Sequence, residues 1–156
     1  MPDTIKVELQ QDADYRFAIR FGASIPALYG DEPPPLGRST GPTPTQVLAA
    51  AVGNCLSDSL LFTLRKFKQD PRSISTQVKA IVVRNEKNRL RVRNMQGRIA
   101  LSVPASPLEH LDRVLAQHEE FCTVTQCVRQ CMPVDVEIRA SEGQQLNYLL
   151  KKETVD

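Results

Sequence analysis

The stretch Val47-Leu48-Ala49-Ala50-Ala51-Val52-Gly53-Asn54-Cys55-Leu56 constrains the fold more than any other part of the chain. It is apolar or small on nearly every side of a helix, and a helix apolar all round is buried all round. Its start is marked three ways. Thr43 is a good N-cap, Pro44 stands at the first helical position, where a missing N–H costs nothing, and Gln46 can close a capping box. The helix is expected to run to about Lys68 and to stop before Asp70-Pro71, because the residue before a proline disfavours helical geometry. A chain of 156 residues has trouble covering such a helix with one domain, so the pattern points to a partner subunit.

Around this helix the pattern is that of strands. Residues 5–10 and 15–21 read as two strands joined by a turn at Gln11-Asp12-Ala13-Asp14. In the second, Tyr15, Phe17, Ile19 and Phe21 alternate with Arg16, Ala18 and Arg20, the period of a half-buried strand. Residues 30–44 are rich in Gly and Pro and should hold no regular element, as long functional loops often do. Residues 74–84 and 89–103 read as a hairpin around Glu86-Lys87-Asn88. Its second arm changes parity between Leu90/Val92 and Ile99/Leu101/Val103, which implies a bulge near Asn94 to Gly97. A second helix is expected over 107–121 and a short helical piece over about 124–131. A last strand is expected over 133–138. The tail, 144–152, can form a weak amphipathic turn pair through Leu146, Leu149 and Leu150. Strands, helix, strands, helices, strand is an α+β order, and the length suits a single domain over 1–156 with its core at about 5–140.

The charge is balanced, with 20 basic against 18 acidic residues. A nucleic-acid binder clusters its basic residues on one face, and here the only local excess, Arg84 to Arg98, alternates with apolar residues as the solvated side of a hairpin does. No nucleic-acid partner is expected. Nor is a membrane, since no uninterrupted apolar run approaches the roughly 20 residues of a span. The start Met1-Pro2-Asp3-Thr4 has neither the basic nor the apolar region of a secretory signal, so the cytoplasm is the expected compartment. Thiols stay reduced there, and the chain's four cysteines read as catalytic, metal-binding or inert rather than as a disulfide framework.

Cys55, inside the buried helix, reads on its own as a small core hydrophobe. Cys122 is followed by the β-branched run Thr123-Val124-Thr125, which places it at a junction near a fresh helix N-terminus. Backbone N–H groups there favour a thiolate, which makes it the better candidate for reactivity. Cys127 and Cys131 share a helix face, as do His118 and Cys122. Four such ligands could hold zinc, but no Cys-x-x-Cys pair is present. His110 and His118 read as solvated residues of a surface helix. No phosphate-binding glycine loop and no nucleophile elbow occurs.

Two segments together resemble a known family. Gly41-Pro42-Thr43-Pro44-Thr45-Gln46, with the Ala-rich run to Cys55-Leu56, resembles the start of the central helix in the OsmC/Ohr superfamily of osmotically inducible and organic hydroperoxide resistance proteins. Phe121-Cys122-Thr123-Val124-Thr125-Gln126 is similar to the family's second cysteine motif. The resemblance covers about residues 5–140. It implies an intertwined homodimer in which mixed sheets wrap two central helices. It also implies a cysteine-based organic hydroperoxide reductase that carries no cofactor: the first cysteine becomes a sulfenic acid, the second condenses with it to a disulfide, and a dithiol, often lipoyl, reduces the pair.

Carried over by motif, Cys55 is the attacking thiol and Cys122 the resolving one. The sequence departs from the family in three places, one being that no motif places the activating arginine. Thr45 stands where a glutamate usually anchors the activating arginine, and Thr123 stands where proline usually follows the second cysteine. Arg38 is the expected activator, with Arg16 and Arg20 in reserve. Glu32 or Asp31 could take the acid's place, and Glu32, Thr45 and Phe121 are the expected pocket residues. Two other classes remain open. One is an OsmC-like protein that binds a small molecule or lipid with weak turnover, favoured by the missing acid at Thr45. The other is a Cys/His metal protein.

Overall fold

The computed structural model describes residues 2–147. The chain separates into two compact units divided between Leu48 and Ala49, and each is described by itself.

The first unit holds an antiparallel sheet of β1 (Glu8–Ala13), β2 (Arg16–Arg20) and β3 (Leu28–Gly30), in that order. The first strand lies later than its expected place at 5–10, because pairing continues through Ala13 and the turn closes at Asp14-Tyr15. Asp14 adopts a left-handed φ of 46°, which aspartate tolerates better than most residues, and the Gln11 side-chain amide donates to its carbonyl at 2.9 Å. β3 was not expected; three residues are too few to show a period. On β2 the alternation is as read, but the buried side is the opposite one. Ala18 is buried, while Tyr15, Phe17 and Phe21 are exposed. With Val7, Leu9 and Ile19 they line an open apolar cavity of about 420 Å³, and no element of this unit covers it.

The loop after β3 is organised by Asp31. Its carboxylate accepts hydrogen bonds from the amides of Glu32 (2.9 Å), Arg38 (3.1 Å) and Thr40 (3.0 Å) and from the Thr40 hydroxyl (2.8 Å). The Thr40 amide leads in holding the carboxyl at about 2, against an ordinary 3.8, while burial works in the opposite direction. A group whose folded value is the lower adds stability that is complete above its ordinary range and is lost as pH falls through the folded value. Asp31→Asn is therefore expected to lower the melting temperature at neutral pH and to flatten the acid limb between about pH 4 and pH 2. Thermal unfolding across that range reads it; an acid limb unchanged by the substitution would contradict the assignment.

The helix α1 (Pro44–Lys66) begins in the first unit and continues in the second. The capping box is formed: the Thr43 amide donates to Gln46 Oε1 at 2.8 Å, and the Gln46 amide to Thr43 Oγ1 at 3.3 Å. The helix ends two residues before Lys68, because Lys68 itself turns left-handed (φ 57°). The amides of Lys68 and Gln69 then donate back to Arg65 O (2.9 Å) and Leu64 O (2.8 Å), a Schellman closure.

In the second unit β4 (Ile74–Arg84), β5 (Leu90–Leu101) and β6 (Val134–Arg139) form a sheet in that order, antiparallel between β4 and β5 and parallel between β5 and β6. The bulge lies at Arg93, between the Ile81–Asn94 and Val82–Val92 pairs, slightly earlier than expected. It brings Met95, Gly97, Ile99 and Leu101 onto one buried face. Val134, Val136 and Ile138 of β6 join them. From α1, Val52, Leu56, Leu60 and Leu64 are almost wholly buried; each such side chain is worth about 1.5–3 kcal/mol over its exposed state. Two glycines permit the close approach. A Cβ on Gly53 would stand 2.9 Å from Val78 Cγ2, and one on Gly97 would stand 3.2 Å from Leu56 Cδ1.

The expectation of burial all round does not hold within the unit. Ala51, Asn54, Asp58 and Phe62 form an exposed face of α1. By length and composition α1 could cross a membrane, against the expectation that no such run exists. Its buried side nevertheless carries Ser59 and Thr63, whose hydroxyls donate to Leu56 O (3.1 Å) and Ser59 O (2.8 Å), and it packs on a sheet as a core helix does.

The second helix is shorter than the expected 107–121. Residues 107–110 are not helical, and His110 is left-handed (φ 56°) just before α2 (Leu111–Gln117). A 3-10 turn (His118–Phe121) and α3 (Thr123–Arg129) follow. At the tail, Leu146 is buried, and the Asn147 side chain bonds the open edge of β6 through Ile138 N and Val136 O. Leu149 and Leu150 lie outside the described residues.

Candidate active site

Cys55 projects from the middle of α1, half-buried, on the border between the helix's buried and exposed faces. Gly53, two residues earlier, lets the helix approach β4, and Ser57 Oγ lies 2.7 Å from Thr76 Oγ1 across the same contact. Cys122 is fully buried and caps the N-terminus of α3, as its β-branched neighbours led one to expect. Its thiol donates to Thr125 Oγ1 at 2.8 Å, and the Cys55 thiol lies close enough to help raise its pKa. Two cysteines distant in sequence thus meet in one place.

The expectation that the helix end makes Cys122 the reactive thiol does not survive this geometry. Burial pushes the Cys122 thiol up, and the nearby Cys55 thiol adds to the effect, while Thr125 acts against them. Desolvation of the charged form outweighs a short helix's dipole. Cys122 is thereby held as a neutral thiol beside a more accessible partner.

The segment carrying Cys122 is braced by residues that no motif announced. Arg129, at the end of α3, is paired with Glu119 of the 3-10 turn, and its Nε and Nη2 donate to Val134 O at 3.2 and 2.8 Å. Turn, helix and strand are thus tied around the thiol. His118, read from sequence as solvated, is completely buried. Its Nδ1 lies 3.1 Å from Leu115 O, and its Nε2 has no hydrogen-bond partner among the described residues. Burial lowers its pKa, with Glu119 opposing. The sequence hid this because its neighbours Gln117, Glu119 and Glu120 are polar; the change from α2 to a tighter 3-10 turn rotates His118 inward.

Cys55 opens into a cavity of about 560 Å³ lined by Ala51, Asn54, Asp58, Ser59, Phe62, Phe121 and Val124. Phe62 and Phe121 meet edge to face, with ring centroids 5.2 Å apart and planes at 66°, and the Lys66 ammonium lies 5.3 Å from the Phe121 centroid. Of the expected pocket residues, Phe121 is therefore at the cysteine pair. Arg38, Glu32 and Thr45 belong to the first unit. Arg38 is exposed, and its backbone amide is held by Asp31. Glu32 lines the 420 Å³ cavity of that unit, and Thr45 is half-buried in the first turn of α1. The reserve arginines are engaged locally: Arg16 lies 4.5 Å over the Tyr29 ring and 3.4 Å from Asp12, and Arg20 donates to Gln10 at 3.3 Å. Asp31 is occupied by its own loop and is not a free acid. Cys127 and Cys131 are exposed. No group of three or more His, Cys, Asp or Glu side chains with metal-holding geometry occurs among the described residues.

The family model described as OsmC-like protein matches residues 37–137. No curated protein matches the sequence. Among solved structures, an OsmC-like protein from Mycoplasma pneumoniae is similar at 11% identity and a TM-score of 0.75, covering 90% of this chain and 99% of that one. An OsmC-like protein of unknown function from Vibrio cholerae gives 17% identity and a TM-score of 0.72, with 88% and 99% covered. The organic hydroperoxide resistance protein OhrB of Bacillus subtilis gives 15% identity and a TM-score of 0.65, with 88% and 98% covered. At these identities the likeness is one of fold.

Proposed function

This chain belongs to the OsmC-like protein family, and on that premise we propose that it reduces organic hydroperoxides through a Cys55–Cys122 thiol cycle. The observation that carries this is the closeness of the two thiols, with Cys55 lining a largely apolar cavity. The Cys55 thiolate attacks the terminal oxygen of a hydroperoxide. The O–O bond breaks, the alcohol leaves with a proton, and Cys55 becomes a sulfenic acid. The Cys122 sulfur then attacks the Cys55 sulfur, water leaves, and a disulfide forms. Two exchanges with an external dithiol, lipoyl or other, restore both thiols. Phe62, Phe121 and Val124 suit an aryl or alkyl group better than hydrogen peroxide. Arg38 is proposed as the activating cation on the family resemblance alone, since a cation opposes the cost of desolvating a thiolate.

The homodimer belongs to the same proposal. Ala51 and Phe62 on α1, and separately Phe17 on β2 with Tyr15 and Phe21 at its ends, are apolar side chains that their own units leave exposed, as those awaiting a second copy are. Light scattering at micromolar concentration should give twice the chain mass; a folded monomer would overturn this. The reducing cytoplasm is the compartment that suits free thiols.

Oxidation of dihydrolipoamide by cumene hydroperoxide, catalysed by the protein and faster than with hydrogen peroxide, tests the activity. A second reading, a small-molecule or lipid binder with little turnover, is favoured by one observation: the described cavity lining contains Asp58 and no cation. Cavity binding without dihydrolipoamide oxidation would establish it.

A further inference from the structure

Asp58 stands three residues after Cys55 on α1, and the two line the same cavity. At that helical spacing their Cβ atoms are about 5–6 Å apart. Asn54, one turn earlier, donates from Nδ2 to Asp58 Oδ2 at 3.1 Å, which orients the carboxylate. The ion pairs of the second unit's strands and α3 (Arg98–Glu137, Arg139–Glu137 and Arg129–Glu119) leave Asp58 out. The next cations along the helix are Arg65 and, eight residues on and about 12 Å away by helical rise, Lys66. Its ammonium sits over Phe121 and donates to Gln117 at 3.4 Å. The rest of the wall is Ala51, Phe62, Phe121 and Val124, with the hydroxyl of Ser59 turned to the helix backbone. Among the described residues the cavity lining is therefore largely apolar, with Asp58 its one charged side chain, beside the thiol.

We propose that Asp58 is a specificity-determining residue, a charge filter that keeps anionic hydroperoxides from Cys55 and makes neutral aryl and alkyl hydroperoxides the substrate class. This rests on the peroxidase reading for its substrate, but not for its electrostatics. Two like charges about 6 Å apart at an exposed site, where the effective dielectric constant is about 40–80, repel enough to lower the anion's rate by about three- to tenfold. The repulsion is screened by salt.

The experiment compares two alkylating agents of nearly equal size, neutral iodoacetamide and anionic iodoacetate, on the reduced full-length protein. Peptide mass spectrometry reads the rate at each cysteine. The amide-to-carboxylate rate ratio at Cys55 is expected to exceed the ratios at exposed Cys127 and Cys131 by about three- to tenfold. Asp58→Asn should bring it to their level, Asp58→Glu should largely retain it, and 0.5 M salt should narrow it. A Cys55 ratio unchanged by Asp58→Asn would overturn the proposal. A second arm compares kcat/KM for cumene hydroperoxide and its 4-carboxylate, with dihydrolipoamide as donor. There Asp58→Asn should narrow the preference for the neutral compound by the same factor, and an unchanged preference overturns the filter. Absence of turnover with both compounds would refute the peroxidase reading alone, and the alkylation ratio would still decide the role of Asp58.

Discussion

Serine in place of Cys55 is expected to lower organic hydroperoxide turnover by about a thousandfold or more, to the level of the uncatalysed reaction. The nucleophile carries the first bond-breaking step, and loss of such a group alone costs nearly as much as loss of the whole constellation. Serine in place of Cys122 is expected to behave differently. The first turnover proceeds, because Cys55 is intact, and the enzyme then stops with a sulfenic acid at Cys55 that dimedone labels. This asymmetry follows from the site. Cys55 is half-buried and reaches the cavity, whereas Cys122 is fully buried, with its pKa raised, behind it. Equal loss of the first turnover in both variants would mean that the roles are wrongly divided.

Leu56→Ala is expected to lower the free energy of unfolding by about 2–5 kcal/mol, the range for a buried leucine whose site cannot collapse. Leu56 is fully buried, and its Cδ1 fills the space over Gly97, where no side chain exists to relax into the void. A domain of this size has a total stability of about 5–15 kcal/mol, so the variant should lose a large share of it. Denaturant unfolding measures this through the shift in midpoint at constant slope. A loss below about 1 kcal/mol would show that α1 is not pinned to the sheet at this point. Because Leu56 adjoins Cys55, the same variant should also loosen the register of the two thiols.

Much of the fold was legible because its strongest signals are local. Thr43, Pro44 and Gln46 form the capping box that their identities announced, and the parity change along β5 located a bulge within a few residues. The misplacements occur where a local signal competes with a tertiary one. The turn at Asp14-Tyr15 is set by pairing that continues past the polar residues thought to end it. The second helix is cut at His110 by a left-handed residue that nothing in its side chain demands. The side of β2 that is buried could not be read from alternation, which gives the period and not the phase.

The site was legible in a different way. Spacing alone did not bring Cys55 to Cys122, and on residue chemistry alone their roles were reversed, because a helix N-terminus is visible in a sequence and the depth of its burial is not. The resemblance to OsmC-like proteins supplied the pairing. The brace of Glu119 and Arg129, the burial of His118 and the position of Asp58 beside the attacking thiol were left to the coordinates. Each depends on which way a helix or turn is rotated. A spacing of three after Cys55 could have singled out Asp58, since i, i+3 residues share a helix face.

One measurement bears most directly on the thiol cycle. The reduced protein is treated with one equivalent of cumene hydroperoxide, without reductant, and its peptides are mapped under non-reducing conditions. Two of the four thiols should disappear together, and the mass of a Cys55–Cys122 linked peptide should appear, with Cys127 and Cys131 still free. A disulfide that involves Cys127 or Cys131 instead, or four intact thiols after the peroxide is consumed, would contradict the account.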